Sequence, residues 1–276
     1  MPHPLPLTGE RTLPGAAGEE YWFARHEVAY RWIATTYADR LRGATVLEAG
    51  SGEGYGAALL RHSGAHQVLA LEYDEVAVAH ADSAYDGVVT VRANLAAMPV
   101  ARGSVDVVVS LQVVEHLWDL RGFLRDCLEV LAPGGLLVVS TPNRPVFSPG
   151  LGRGEKPTNP FHVEELDAEQ LQQLLLEAGF TGVELHGLHH GPRIEDWERT
   201  NSRSLVEAQV TAALTPPAET DRAAVSGAGK QPHDQSRPLG WRAFVASVTG
   251  ADFRVGAASG AQDLVAVATR PAGALG

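Results

Sequence analysis

Apolar and polar positions along the chain follow two rhythms. Nearly unbroken apolar runs of four to six residues lie at 45–48, 68–72, 88–91, 105–110, 136–140, 183–186 and 264–268. Runs of that length predict strands covered on both faces. Between them, apolar residues recur at helical spacing over 21–41, 75–85, 123–131, 167–178 and 205–214. In the first of these the stripe runs through Trp22, Val28, Ala29, Trp32 and Ile33. Asp167 supplies a capped start to a later helix and Gly179 a stop. Strands that alternate with helices predict an α/β fold: seven strands, mostly parallel, with helices on both faces. Ligands of such sheets sit at the C-terminal strand ends, near the switch in strand order.

The rhythm also divides the chain. Residues 1–42 predict an arm and a lid helix, 43–187 the core, 188–262 an insertion or cap, and 263–276 the last strand and tail. Within the insertion, 215–238 is rich in Pro, Ala, Gly and charge and predicts a mobile loop. The 276 residues carry a formal net charge of −11, which argues against a nucleic-acid partner. The single cysteine, Cys127, excludes a disulfide framework and a cysteine-built zinc site. It lies on an amphipathic helical stretch and is expected to be buried and inert. No apolar run approaches a membrane span, and the N-terminus lacks a signal pattern, so the expected location is cytoplasmic.

Chemistry enters at Glu48-Ala49-Gly50-Ser51-Gly52-Glu53-Gly54-Tyr55-Gly56, directly after the first strand. Glycine at every second position lets a turn approach a ligand closely, and the N–H groups of the following helix then point at it. A nicotinamide-binding turn would read Gly-x-Gly-x-x-Gly with an acid about 20 positions on. Glu72 stands 20 positions after Gly52, but Tyr55 takes the place of the third glycine.

Acid-x-Gly-x-Gly-x-Gly instead resembles the first motif of the class I S-adenosylmethionine-dependent methyltransferases, which have a Rossmann-like sheet. The resemblance continues in order. Glu72, followed by Tyr73, matches the acid that accepts the ribose hydroxyls. Asn94-Leu95 stands in the adenine-binding segment, with an amide oxygen where the family has a carboxylate. Gln112-Val113-Val114-Glu115-His116 follows strand four, where the family lines the methyl-donor site, and Pro133-Gly134-Gly135 leads into strand five. The resemblance implies S-adenosylmethionine as cofactor, held by Glu48, Gly50, Gly52, Gly54, Glu72, Tyr73, Asn94, Leu95 and Gln112. The flanks, among them 7–12, 20–26, 159–165 and 188–193, are similar to an actinobacterial subgroup of methyltransferases linked to methylglucose lipopolysaccharide. That similarity implies a sugar or other small-molecule hydroxyl as acceptor and a place in polysaccharide biosynthesis.

Transfer to a hydroxyl needs a proton acceptor near neutrality, and His116 and His162 are the catalytic candidates. His189 and His190 are expected in a loop over the same sheet edge. Quinone-biosynthesis O-methyltransferases bind a divalent metal through Glu-x-x-Glu-His. Here Gln112 replaces the first acid, leaving Glu115 and His116, and no metal is expected. The Tyr21-Trp22-Phe23 cluster is expected to pack in the core or to close over the ligands.

Overall fold

The computed structural model describes residues 11–214 and 240–273. The expected mobile loop at 215–238 lies outside the described residues. Eight described strands form one mixed sheet: β1 (Thr45–Ala49), β2 (Gln67–Glu72), β3 (Val88–Arg92), β4 (Val105–Leu111), β5 (Leu131–Pro142), β6 (Thr181–His190), β7 (Phe253–Ala257) and β8 (Asp263–Thr269). Their order across the sheet is β3-β2-β1-β4-β5-β8-β6-β7. The first five pair in parallel. β8 inserts antiparallel between β5 and β6, and β7 pairs antiparallel with the outer edge of β6.

The seven expected strands are all present, and β7 is the addition. It is a short edge strand with Gly256 in it and a half-exposed burial pattern, so it carries no apolar run to announce it. The single helix expected at 21–41 is two: α1 (Glu20–Thr36) and α2 (Ala38–Leu41), interrupted at Tyr37. His189 and His190 lie within β6, paired with Arg254 and Phe253, and not in a loop.

The remaining helices are α3 (Tyr55–His62), α4 (Glu75–Ala84), α5 (Leu120–Val130), α6 (Arg144–Phe147), α7 (Ala168–Glu177), α8 (Pro192–Asn201), α9 (Leu205–Leu214) and α10 (Trp241–Val245). The strands feed two cores by simple alternation. Leu47, Val108, Leu137 and Val139 pack with Leu124 and Cys127 of α5 and with Leu171 and Leu175 of α7. Val46, Val107, Val109 and Val138 pack on the other face with Ile33 of α1 and with Ala57 and Leu60 of α3. A third cluster joins Tyr21 of α1 to Leu188, Ile194, Trp197, Phe244 and Phe253. Cys127 is fully buried, and burial pushes its thiol pKa up. No described helix is long and apolar enough to cross a membrane.

Candidate active site

The strand order reverses between β1 and β4, and a cleft of about 710 Å³ opens beyond their C-terminal ends. The glycine turn forms one wall, and each glycine has its own reason. Gly50, Gly52 and Gly54 have φ of 85°, 55° and 99°, a region that side chains disfavour. A Cβ at Gly50 would stand 2.5 Å from Val113, and one at Gly54 2.7 Å from Ala81. At Gly56 it would collide with the ring of Tyr30 and with Glu48. Gly52 differs: a Cβ there meets nothing within 4 Å, although the residue lines the cleft. Its missing side chain is room for a ligand.

Glu72 ends β2 facing this turn. Gly52 N–H donates to its Oε2 at 2.9 Å, and the N–H groups of Tyr73 and Asp74 donate to Oε1 at 2.9 Å each. The carboxylate is thus oriented by backbone alone, with acceptor capacity left for a diol. Glu53, buried under the turn, accepts from Tyr85 Oη at 2.7 Å and bonds His80 Nε2 at 2.8 Å, tying the turn to α4. Tyr73 and Leu95 line the cleft as expected. Asn94 does not: its amide oxygen accepts from Ala96 N–H at 3.0 Å and caps the short turn Leu95–Ala97. A local cap within two residues has claimed it.

Glu48 also lies outside the lining, beneath the turn. Tyr30 Oη donates to its Oε1 at 2.5 Å, while Oε2 is buried with no hydrogen-bond partner. Burial pushes its pKa up to about 8, against the pull of the bonds from Tyr30 and the Ala57 backbone. The folded state therefore holds a proton that the unfolded chain releases near 4.5. It binds more protons than the unfolded state between those values, so this group's contribution to stability falls as pH rises through the window. Glu48→Gln should remove that slope. In urea unfolding, the variant should match the native chain near pH 5 and exceed its stability above pH 8; parallel curves would refute the assignment.

At the end of β4 the backbone is forced. Gln112 has a φ of 57°, unusual for a side-chain-bearing residue and costly unless the surroundings hold it. Its N–H and Nε2 both reach Ser140 Oγ at 3.2 Å. Arg25 Nη2 donates to its Oε1 at 3.4 Å. Arg25 itself is buried, bonds Asp263 Oδ2 through Nε at 2.6 Å, and makes a second bond from Nη2 to Oδ1. Its guanidinium carbon lies 5.3 Å from the ring centre of Trp22 and 4.7 Å from that of Phe147. Burial works against the charge, and Asp263 more than offsets it. In the sequence Arg25 lies within the 20–26 flank, and no motif marks it. The available signal was a cation at the buried i+4 position from Tyr21, on the same helix face as Ala29 and Ile33.

The cleft's far end brings together two of the predicted residues. His116 and His162 stand with ring centres 5.1 Å apart. His116 Nδ1 bonds the Phe161 carbonyl at 3.0 Å. Glu115, buried beside them, accepts from Thr141 Oγ1 at 3.1 Å. Among the described residues, Glu115, His116 and His162 are the group whose possible ligand atoms all fall within 4.8 Å. Both ring nitrogens of His162 are engaged, however, with Glu165 at 2.7 Å and Asn159 at 3.1 Å. These side chains are joined to the surrounding hydrogen-bond network. His190, by contrast, is sequestered: it bonds Tyr21 Oη at 2.7 Å and Glu198 at 3.2 Å, fastening α1 to β6 and α8.

Comparisons with known proteins place the family. A methyltransferase-domain family model matches residues 21–185, more than half of the chain. The chain is 46% identical over 276 residues to a "Probable S-adenosylmethionine-dependent methyltransferase" of Mycobacterium tuberculosis, covering 98% of this chain and 91% of that one. A Mycolicibacterium smegmatis relative, also named as a probable S-adenosylmethionine-dependent methyltransferase, is 49% identical over 214 residues, 78% of this chain and 80% of that one. A Thermotoga maritima crystal structure described as an S-adenosylmethionine-dependent methyltransferase superposes with a TM-score of 0.56 at 16% identity, covering 90% of this chain and 92% of that one; it speaks for the fold alone. An oriented carboxylate at the end of β2, an open glycine position and these relatives converge: the chain belongs to the class I S-adenosylmethionine-dependent methyltransferases, with S-adenosylmethionine as its methyl donor.

Proposed function

We propose that the chain methylates a hydroxyl oxygen of a saccharide or glycolipid, in polysaccharide biosynthesis. The observation that carries this reading is the pair of imidazoles, His116 and His162, on the wall of the cleft that also contains the donor cradle. Bound there, S-adenosylmethionine supplies a methyl group already activated on a sulfonium. Gly50, Gly52 and Glu72 would hold its nucleoside side, with apolar contact from Leu95, and Gln112 would face its methionine part. The chain's remaining task is to orient an oxygen, exclude water and accept a proton. Exposed aromatic rings, Phe161 on the cleft lining and Trp118 close to His116 in sequence, support a saccharide acceptor. Trp118, two residues beyond His116, is 91% exposed, and Phe161 is 59% exposed. Rings left in water beside a cleft offer flat apolar surface to a sugar face.

Initial rates of S-adenosylhomocysteine release, measured with saccharide, quinol and amine panels, test the proposal. Saccharides should support turnover, and exclusive use of amines would refute it. Alanine at His116 and at His162 then separates the two imidazoles. The variant that lacks the base should lose about 10²-fold in kcat with donor affinity intact. Full turnover in both would remove the histidines from the reaction.

A further inference from the structure

We infer that Glu165 is a positioning residue that fixes His162 as the proton acceptor, an assignment that rests on the hydroxyl-methylation reading above. The pair is built for this and for little else. His162 is 6% exposed and Glu165 2%, and both line the cleft. His162 Nδ1 and Glu165 Oε1 are 2.7 Å apart. Glu165 Oε2 is buried and makes no hydrogen bond. A carboxylate with one oxygen uncompensated is costly to bury, so its retention needs a return elsewhere.

The tautomer follows from the neighbours. Asn159 Oδ1 accepts from Phe161 N–H at 3.0 Å, so its Nδ2 is the atom that faces His162 Nε2 at 3.1 Å, and it can only donate. His162 Nε2 is therefore an acceptor, and the ring proton sits on Nδ1, facing Glu165. That is the form a general base requires. A carboxylate behind an imidazole also stabilises the imidazolium that forms.

In the step, the hydroxyl oxygen bonds the methyl carbon as the carbon–sulfur bond breaks, and sulfur keeps the electron pair. The hydroxyl proton passes to His162 Nε2, where the hydroxyl has replaced Asn159 Nδ2 as donor. His162 becomes an imidazolium paired with Glu165 and later returns the proton to water. His116, turned toward the Phe161 carbonyl through Nδ1, is placed to flank this acceptor, its ring centre 5.1 Å away.

Glu165→Gln tests the assignment with two readouts. A glutamine can present either its oxygen or its NH₂ to Nδ1, so it keeps the shape but no longer dictates the tautomer. Ring-nitrogen NMR of the native chain should show His162 as the Nδ1–H form alone, and the variant should show the Nε2–H form appearing. Turnover should fall on the order of 10- to 100-fold, with the KM for S-adenosylmethionine unchanged. Glu165→Asp should recover the native tautomer and part of the rate. A Glu165→Gln chain with native turnover and a single Nδ1–H tautomer would overturn the inference. So would a loss confined to donor affinity or folding, which is all that a structural carboxylate would show. If the native chain methylates no hydroxyl, the reading beneath fails, while the ring-nitrogen spectra still decide whether Glu165 sets the tautomer.

Discussion

Gly52→Val should give a folded chain that no longer binds S-adenosylmethionine. At a φ of 55° a β-branched residue is strained, by about 1–2 kcal/mol. Nothing in the protein stands within 4 Å of the added Cβ, so the fold itself has room for it. The valine methyls would instead occupy the cleft beside the N–H that holds Glu72. The ligand would lose its close approach to the turn, and the expected affinity loss is at least about 10³-fold, or roughly 4 kcal/mol. Gly134→Val is the matched control. Gly134 also has positive φ, 77°, and no atom within 4 Å, but it lies within β5, which begins at Leu131, and away from the cleft. It should show a similar stability loss with donor affinity unchanged. Calorimetric titration of S-adenosylhomocysteine into both variants checks the pair; equal affinities would sink the site.

The largest effect on stability is expected at the Arg25–Asp263 pair. It joins α1 to the start of β8, with both side chains nearly inaccessible to water. Removing one member leaves an unpaired buried charge, which costs about 3–5 kcal/mol. Asp263→Ala should lower the melting temperature by roughly 6–20 °C in a chain of this size. Replacing both members with apolar residues, as in Arg25→Met with Asp263→Leu, should recover most of that loss, because the desolvation cost leaves with the charges. The double variant should still bind the donor weakly. Arg25 lines the cleft beside Gln112, and a guanidinium there is a cation available to the donor's carboxylate. Scanning calorimetry and donor titration on the three chains separate the two roles. Native stability in Asp263→Ala would show that the pair contributes nothing.

These two predictions differ in how far the sequence alone supports them, and the difference is physical. The glycine turn, Glu72 and Gln112 are local features. Their positions are set by spacing within one strand–turn–helix unit, or by the end of the adjacent strand, so periodicity and motif order place them at the C-terminal ends of the strands. Arg25 and Asp263 are 238 positions apart, and only the antiparallel insertion of β8 beside β5 brings them together. β7 escaped because an edge strand needs no apolar run on both faces. His189 and His190 were misplaced because β6 continues through Gly187, which packs tightly against Ala261 and lets the strand run on. Asn94 precedes the cleft-lining Leu95, and its amide oxygen is engaged locally by Ala96 N–H, a bond that segment matching does not reveal. His162 and Glu165 are only three residues apart, yet spacing in an irregular segment does not say that two rings and a carboxylate will meet.

In the proposed function one cleft holds the methyl donor and delivers its methyl to a hydroxyl oxygen. Tandem mass spectrometry of saccharides incubated with the enzyme and donor carrying a deuterated methyl tests it most directly. The expected product carries one labelled methyl on a sugar oxygen, and its yield falls away in Gly52→Val. Label found only on nitrogen, or saccharides recovered unlabelled while the donor is consumed with another acceptor, would contradict it.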